Sequence, residues 1–380
     1  MKKLLVMASM FAMTAHGANV EELERKVNIL AEEIETLKSN PSTSDKLSIG
    51  GYAEIIFEDY SSENEAGAEV GSSPGAQWDT LRNVLYVGYK FSDKWSVATE
   101  IEIEHANEVF TEALEVKYNG SDLFNFKAGL LLTPMGYINE MHEPPTFIGV
   151  KRPELAGSII PTTLRQNGIG FYGKKGSLSY KLFILNSMNG DNFDSGSVRS
   201  GRQKGSKAKG GKLSTLARVD YEVMNGFEFG ASAYVGKTNG ITAASYKHNI
   251  YEAHTQLHKG AFRLRAVYAM SDIDGAKISA LTTNSVSDGQ KGYYVDLSYD
   301  VTCPLTGSKL RPYTRYETLN LYDEVSGTVT ADKSKDITNM TFGLAVYPVE
   351  NLTFKVDYMK KSNESDTGVD QFNIGMGWQY

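Results

Sequence analysis

From Lys46 to the last residue the chain alternates apolar and polar positions. KWSVATEIEIEH sets Trp95, Val97, Ile101 and Ile103 against Ser96, Ala98, Glu100, Glu102 and Glu104. The final VDQFNIGMGWQY sets Phe372, Ile374, Met376, Trp378 and Tyr380 against Gln371, Asn373, Gly375, Gly377 and Gln379. Side chains of an extended strand point to alternate faces, so each stretch has one apolar and one polar face. LARVDYEV and AFRLRAVYAM repeat this with Arg218, Asp220, Arg263 and Arg265 on the polar side. About sixteen such segments occur, near 47–60, 80–91, 95–106, 110–119, 123–133, 167–174, 178–187, 213–223, 227–237, 248–258, 261–271, 291–301, 309–319, 338–348, 351–361 and 370–380. Most approach the roughly 9–11 residues with which a tilted strand crosses a bilayer.

The connections are of two kinds. Short turns such as FSDKW, NGSD, KKGS, MNG, HKG, CPLTGS and PVEN alternate with long connections at 61–79, 134–166, 188–212, 238–247, 272–290, 320–337 and 362–369. Only the link near 107–109 is short where a long one is expected. One tight rim and one elaborate rim is the organisation of an up-and-down barrel, and an even strand count puts both chain ends at the tight rim. Phe91, Trp95, Tyr118, Phe124, Tyr221, Phe227, Phe262, Tyr299, Trp378 and Tyr380 gather beside the short turns, as an interfacial girdle would. The expected fold is all-β, an antiparallel transmembrane β-barrel of about 16 strands over residues 47–380. A soluble sandwich or β-helix would alternate too, but its second face would have to bury these charges in a core. A closed barrel uses both faces and leaves no open edge in hydrocarbon.

The N-terminal text differs. MKKLLVMASMFAMTAHGA pairs Lys2 and Lys3 with an apolar run and small residues, so 1–18 reads as an export signal. In 19–38, Val20, Leu23, Val27, Leu30, Ile34 and Leu37 form the a/d seam of a short α-helical coiled coil. Glu33 and Lys38 can pair between its helices; an amphipathic helix on the protein's own surface is the alternative. Barely more than two heptads is marginal alone. Valine and isoleucine at a with leucine at d lean toward two strands, so the seam does not specify a trimer. Residues 39–46 form a polar linker.

After the signal, no apolar run reaches the roughly 20 residues of a membrane helix. Without Lys2 and Lys3 the balance is 37 bases to 46 acids, which disfavours nucleic-acid binding. The single cysteine, Cys303, has no internal partner and reads as inert. HExxH is absent, the GxSxG string at 71–75 lies in a long connection rather than on a strand-to-helix elbow, the GKT at 236–238 ends an alternating segment and closes no glycine-rich phosphate-cradling loop, and His254 and His258 lie four apart on a strand rather than a helix. No cofactor or metal is expected. An outer-membrane enzyme is therefore the weaker alternative.

The chemistry left is that of a pore. The strand pattern turns Glu54, Glu58, Glu100, Glu102 and Glu104 inward on one wall, and Arg263, Arg265, Arg311 and Arg315 inward on another. At comparable distances from the tight rim these would set a transverse field across the lumen; Glu317 and Asp300 are candidates to neutralise the arginines. Connection 134–166 has four prolines from Pro134 to Pro153 with Phe147, Ile148 and Val150 among them, which predicts a packed loop folded into the pore. Its Glu140, His142, Glu143, Lys151, Arg152 and Arg165 are candidate constriction residues. The basic RQKGSKAKGGK at 202–212 either binds lipopolysaccharide phosphates, gathers anions at the mouth, or is a solvated loop.

With these features, and with LLTPMGYINEMHEPPTFIGVKRPELAGSIIPTTLRQNGIGFYG, the chain resembles bacterial outer-membrane porins, in particular the phosphate-selective porin O and P family. Pro134, Gly136, Asn139, Arg152, Pro153, Pro161 and Gln166–Asn167–Gly168 look like landmarks around that family's third outer loop. The resemblance implies a homotrimer of water-filled pores for small hydrophilic solutes in the outer membrane of a Gram-negative-type bacterium, among its lipids, with the coiled coil in the periplasm. It also implies that Tyr380 marks the chain for the barrel-assembly machinery, where phenylalanine is more usual. The family's phosphate-binding ladder of bases has no residue-by-residue match here. A structural tether using the coiled coil is a further alternative; about 30 Å of helix favours organising an oligomer over a long bridge.

Overall fold

The computed structural model describes residues 46–240 and 245–380. The signal and coiled-coil segments, and the linker up to residue 45, lie outside the described residues.

The strands are β1 (Leu47–Tyr60), β2 (Ala76–Lys90), β3 (Trp95–Glu104), β4 (Glu108–Asn119), β5 (Asn125–Leu132), β6 (Arg165–Lys175), β7 (Leu178–Asn186) and β8 (Leu213–Met224). There follow β9 (Phe227–Gly236), β10 (His248–Lys259), β11 (Phe262–Ile273), β12 (Gly289–Tyr299), the two-residue β13 (Val301–Thr302), β14 (Lys309–Glu324), β15 (Asp336–Val349), β16 (Leu352–Asn363) and β17 (Gln371–Gln379). β13 only prolongs β12 past Asp300, pairing with the start of β14. The result is a closed barrel of sixteen spanning antiparallel strands. Each neighbour in sequence is a neighbour in space, and β17 closes on β1 from Tyr52 opposite Gln379 to Tyr60 opposite Gln371. Gly51 and Tyr380 exchange two backbone hydrogen bonds of 2.9 Å at the seam.

Each expected segment forms a strand. β2 starts earlier than expected, at Ala76, and β14 runs on to Glu324, which pairs with Gly289. The short outer link is a tight turn over 105–107, with His105 and Ala106 both at positive φ. Outward positions are apolar and exposed, among them Leu114, Val116, Leu182, Ile184, Phe342, Phe354, Phe372 and Ile374. Phe91, Trp95, Phe124, Tyr221, Tyr299 and Tyr380 are exposed beside the short turns. Such a surface is suited to a hydrocarbon band with an aromatic border.

The interior departs from a uniformly polar lumen. Loop 133–164 folds inside, with the short helix α1 (Leu155–Ser158) and a 3-10 turn at Pro144–Thr146. Met135, Tyr137, Leu155, Ile159 and Ile160 pack on Phe183, Leu185, Leu216, Tyr234, Ile250, Val267 and Tyr294 of the wall. A second cluster, Leu164, Met188, Phe193, Val198, Tyr246, Ile273, Ile278 and Val286, joins the outer loops and the helix α2 (Gly275–Leu281). The apolar inward residues lie where the loop needs a partner.

Candidate pore constriction

The loop is locked at its neck. Asn139 Nδ2 donates to Thr133 Oγ1 at 2.8 Å and to the Leu164 carbonyl at 3.2 Å, while its Oδ1 accepts from Leu164 N at 2.8 Å. One amide thus ties both ends of the loop together.

The far wall holds the loop by its backbone. Arg315 donates to the carbonyls of Ile148 and Lys151 at 2.9 and 3.0 Å and pairs with Asp296 at 2.7 Å. Lys355 donates to the carbonyls of Phe147 and Gly149 at 2.7 and 2.8 Å, and Asp357 accepts from Val150 N at 2.7 Å. Glu317 accepts from Glu154 N and Leu155 N at 3.0 and 2.8 Å, satisfying two amides at the start of α1. The glycines of β17 make room: a Cβ on Gly375 would stand 3.0 Å from Val150, and one on Gly377 would run into Pro144. The small polar face of the last strand is therefore a seat for the loop.

The loop separates two cavities. Arg263, Arg265, Arg311 and Asp296 line one of about 240 Å³ on the tight-turn side, together with Gly226 and His258. Glu54, Arg82, Glu104, Lys151, Arg152 and Arg199 contribute to one of about 470 Å³ on the long-loop side. This corrects the expectation of two walls facing each other at one height, because the arginines and Glu54 and Glu104 open into different cavities. Alternation gives the face of a strand and leaves the position of the plug undetermined.

The anticipated residues have these partners. Arg311 pairs with Asp300 at 2.5 Å and donates to Tyr347 Oη at 3.1 Å, while Arg263 meets the same carboxylate at 3.0 Å. Arg265 enters no ion pair among the described residues and lies 4.7 Å from the Tyr137 ring centre. Glu54 is 3.4 Å from Arg82, Glu58 pairs with Lys151, and Glu102 is 3.9 Å from Arg82. Glu140 meets Lys181 at 2.5 Å, and Glu143 accepts from Tyr86 Oη at 3.3 Å. His142 and Arg165 stand 3.4 and 3.6 Å from Glu112. Arg152 donates to the His142 carbonyl at 3.2 Å.

The sequence reading passed over Arg82, Glu112, Lys355 and Arg199. Arg82 follows the alternation of β2 and was legible. Glu112 was not, because a register shift in the β3–β4 pairing leaves Glu112 and Ala113 consecutively buried. The basic outer loop begins as a packed segment: Arg202 donates to the Thr162 carbonyl at 2.7 Å and Arg199 to Thr162 Oγ1 at 3.3 Å. Among the described residues Arg152, Arg199 and Arg202 pair with no carboxylate. Burial and then Arg82 lower the Arg152 pKa, burial and then Arg152 lower that of Arg199, and burial and then Arg199 lower that of Arg202. Like charges are crowded here.

The chain matches no protein-family profile. An uncharacterised protein of Aquifex aeolicus is 29% identical over 360 residues, covering 88% of this chain and 80% of that one. Solved structures with the same fold include Salmonella typhi OmpF in complex with daunomycin (TM-score 0.59, 14% identity, 88% of this chain and 97% of that one). An anion-selective porin from Comamonas acidovorans aligns with TM-score 0.56 at 11% identity over 88% and 98% of the two chains. A trimer form of Vibrio cholerae OmpT aligns with TM-score 0.56 at 10% identity over 88% and 99%.

Proposed function

We propose that this chain is an outer-membrane diffusion channel for small hydrophilic solutes and ions, with loop 133–164 as its constriction and a modest preference for anions. The observation that carries the reading is a barrel with an apolar exterior whose interior keeps charged cavities on both sides of one internal loop. The charge balance of those cavities supports the preference. On the long-loop side Glu54 is engaged by Arg82, and Glu154 stands 3.4 Å from Lys361, which leaves the two arginines Arg152 and Arg199 against the single carboxylate Glu104 without ion pairs among the described lining residues. On the tight-turn side Arg263 and Arg311 share Asp300 and Asp296 is held by Arg315, which leaves Arg265 without a carboxylate. Charges in a narrow low-dielectric passage are screened less than on an open surface, so a small imbalance selects between ions. A trimer of Vibrio cholerae OmpT and the anion selectivity of the Comamonas acidovorans porin, both of similar fold, support reading this chain as an oligomer of anion-preferring pores.

Folded protein added to a planar bilayer should give discrete conductance steps, and a KCl gradient should give a reversal potential of the sign for chloride preference. Folded protein that yields no steps overturns the channel. Steps with the cation sign overturn only the preference.

A further inference from the structure

Where the constriction loop meets β3 and β4, buried polar groups lack partners. Glu112 is fully buried and neither of its carboxylate oxygens is hydrogen-bonded; His142 Nε2, Glu100 Oε2 and Glu102 Oε1 are buried and unpartnered as well. Unsatisfied buried groups are costly, and their concentration calls for an occupant.

His142 narrows the choice. Its Nδ1 is 3.2 Å from the Asn139 carbonyl, which can only accept, so Nδ1 carries a hydrogen and Nε2 is the nitrogen turned toward the carboxylates. Nε2 lies 3.4 Å from Glu112 Oε2, beyond the roughly 2.7–3.2 Å of an N–H···O hydrogen bond. A histidine whose other nitrogen donates to a backbone carbonyl is the usual supporting arrangement of a metal ligand. Zinc bonds of about 2.0–2.2 Å to nitrogen and oxygen set tetrahedral ligand atoms about 3.4 Å apart. One ligand atom each from Glu100, Glu112 and His142 lie within 4.8 Å of one another. Arg165 stands 3.6 Å from Oε1 of Glu112, the oxygen other than the one beside His142. Glu100 Oε2 has no hydrogen-bond partner, and Glu100 enters no ion pair among the described residues.

We infer that Glu100, Glu112 and His142 form a binding site for a divalent cation of the zinc class, which fastens the constriction loop to the barrel wall. One imidazole with two carboxylates suits a borderline cation better than calcium or magnesium, which favour all-oxygen sets. Arg152, which lines the long-loop cavity, donates to the His142 carbonyl next to the site. A second cluster, Asp220, Glu228 and His254, makes the contrast. There His254 meets Glu252 at 2.6 Å and Asp220 at 2.8 Å, and Arg218 already occupies the Asp220 carboxylate at 2.8 and 2.9 Å. Asp220 and His254 thus have hydrogen-bonded partners, which both carboxylate oxygens of Glu112 lack.

The test is zinc retention by the untagged, folded full chain, stripped with chelator, loaded with zinc chloride and dialysed. We expect about one zinc per chain, at least about tenfold weaker binding in His142→Gln and in Glu112→Gln, and no change in His105→Gln, an exposed histidine. Unboiled gel migration confirms that each variant is folded. Cobalt loading of the wild type should give a visible absorption band, which keeps the proposal testable if a variant fails to fold. A folded wild type that retains no zinc and gives no cobalt band overturns it, as does retention unchanged in folded His142→Gln. The readout is independent of conductance.

Discussion

Arg315 Nη2 donates to the backbone carbonyl of Ile148 at 2.9 Å, linking β14 to a loop 167 residues earlier in the chain. The same guanidinium binds Asp296 and the Lys151 carbonyl, and the residue is only 2% exposed. It anchors the loop and has little surface left for a passing ion.

Replacing Arg315 by alanine should therefore release the loop. Asp296 and two carbonyls would be left buried without their donor, a loss of about 3–5 kcal/mol. Single-channel recordings should show larger and noisier conductance, and the barrel should unfold at lower temperature. Unchanged conductance and stability would refute the anchoring role.

The seat on β17 makes a second prediction. Valine at Gly377 would collide with Pro144, and overpacking of this kind costs about 1–3 kcal/mol. Gly377→Val should displace the loop and change conductance while leaving the sheet-dominated circular dichroism intact. Wild-type conductance in the folded variant would show that the loop does not rest there.

Much of this architecture is legible in period-two alternation, because hydrocarbon outside and water inside impose opposite demands on successive residues. The inward turn of Glu54, Glu102, Arg311 and Arg315 follows from that rule alone. Their partners do not, since Arg311 with Asp300 and Arg315 with Ile148 depend on strand register and on where the loop settles. Glu112 escaped because the register shift beside it breaks the alternation used to read the strand. Leu216 and Ile250 face inward as apolar residues because the plug is itself a small core.

The seam at Val20, Leu23, Val27, Leu30, Ile34 and Leu37 calls for a separate experiment. If this segment forms the proposed coiled coil, serine at Leu23, Leu30 and Leu37 removes its d positions. An oligomer that it helps to hold should then dissociate at lower temperature with conductance largely kept. Unchanged dissociation would favour a helix lying on the protein's own surface.

Selectivity should depend on the arginines whose charge is uncompensated. Arg265 lies against Tyr137 with no carboxylate partner among the described residues, and Arg152 and Arg199 line the opposite cavity in the same condition. The Debye length at physiological salt is about 8 Å, so these charges are felt across a narrow passage and fade as salt rises. Arg265→Gln and Arg199→Gln should each move the reversal potential toward cations, most at low salt, and the double variant should move it further. Arg311→Gln should act less, because its charge is already met by Asp300 at 2.5 Å. If Arg311→Gln shifts selectivity as much as Arg265→Gln, total charge rather than unpaired charge sets the preference.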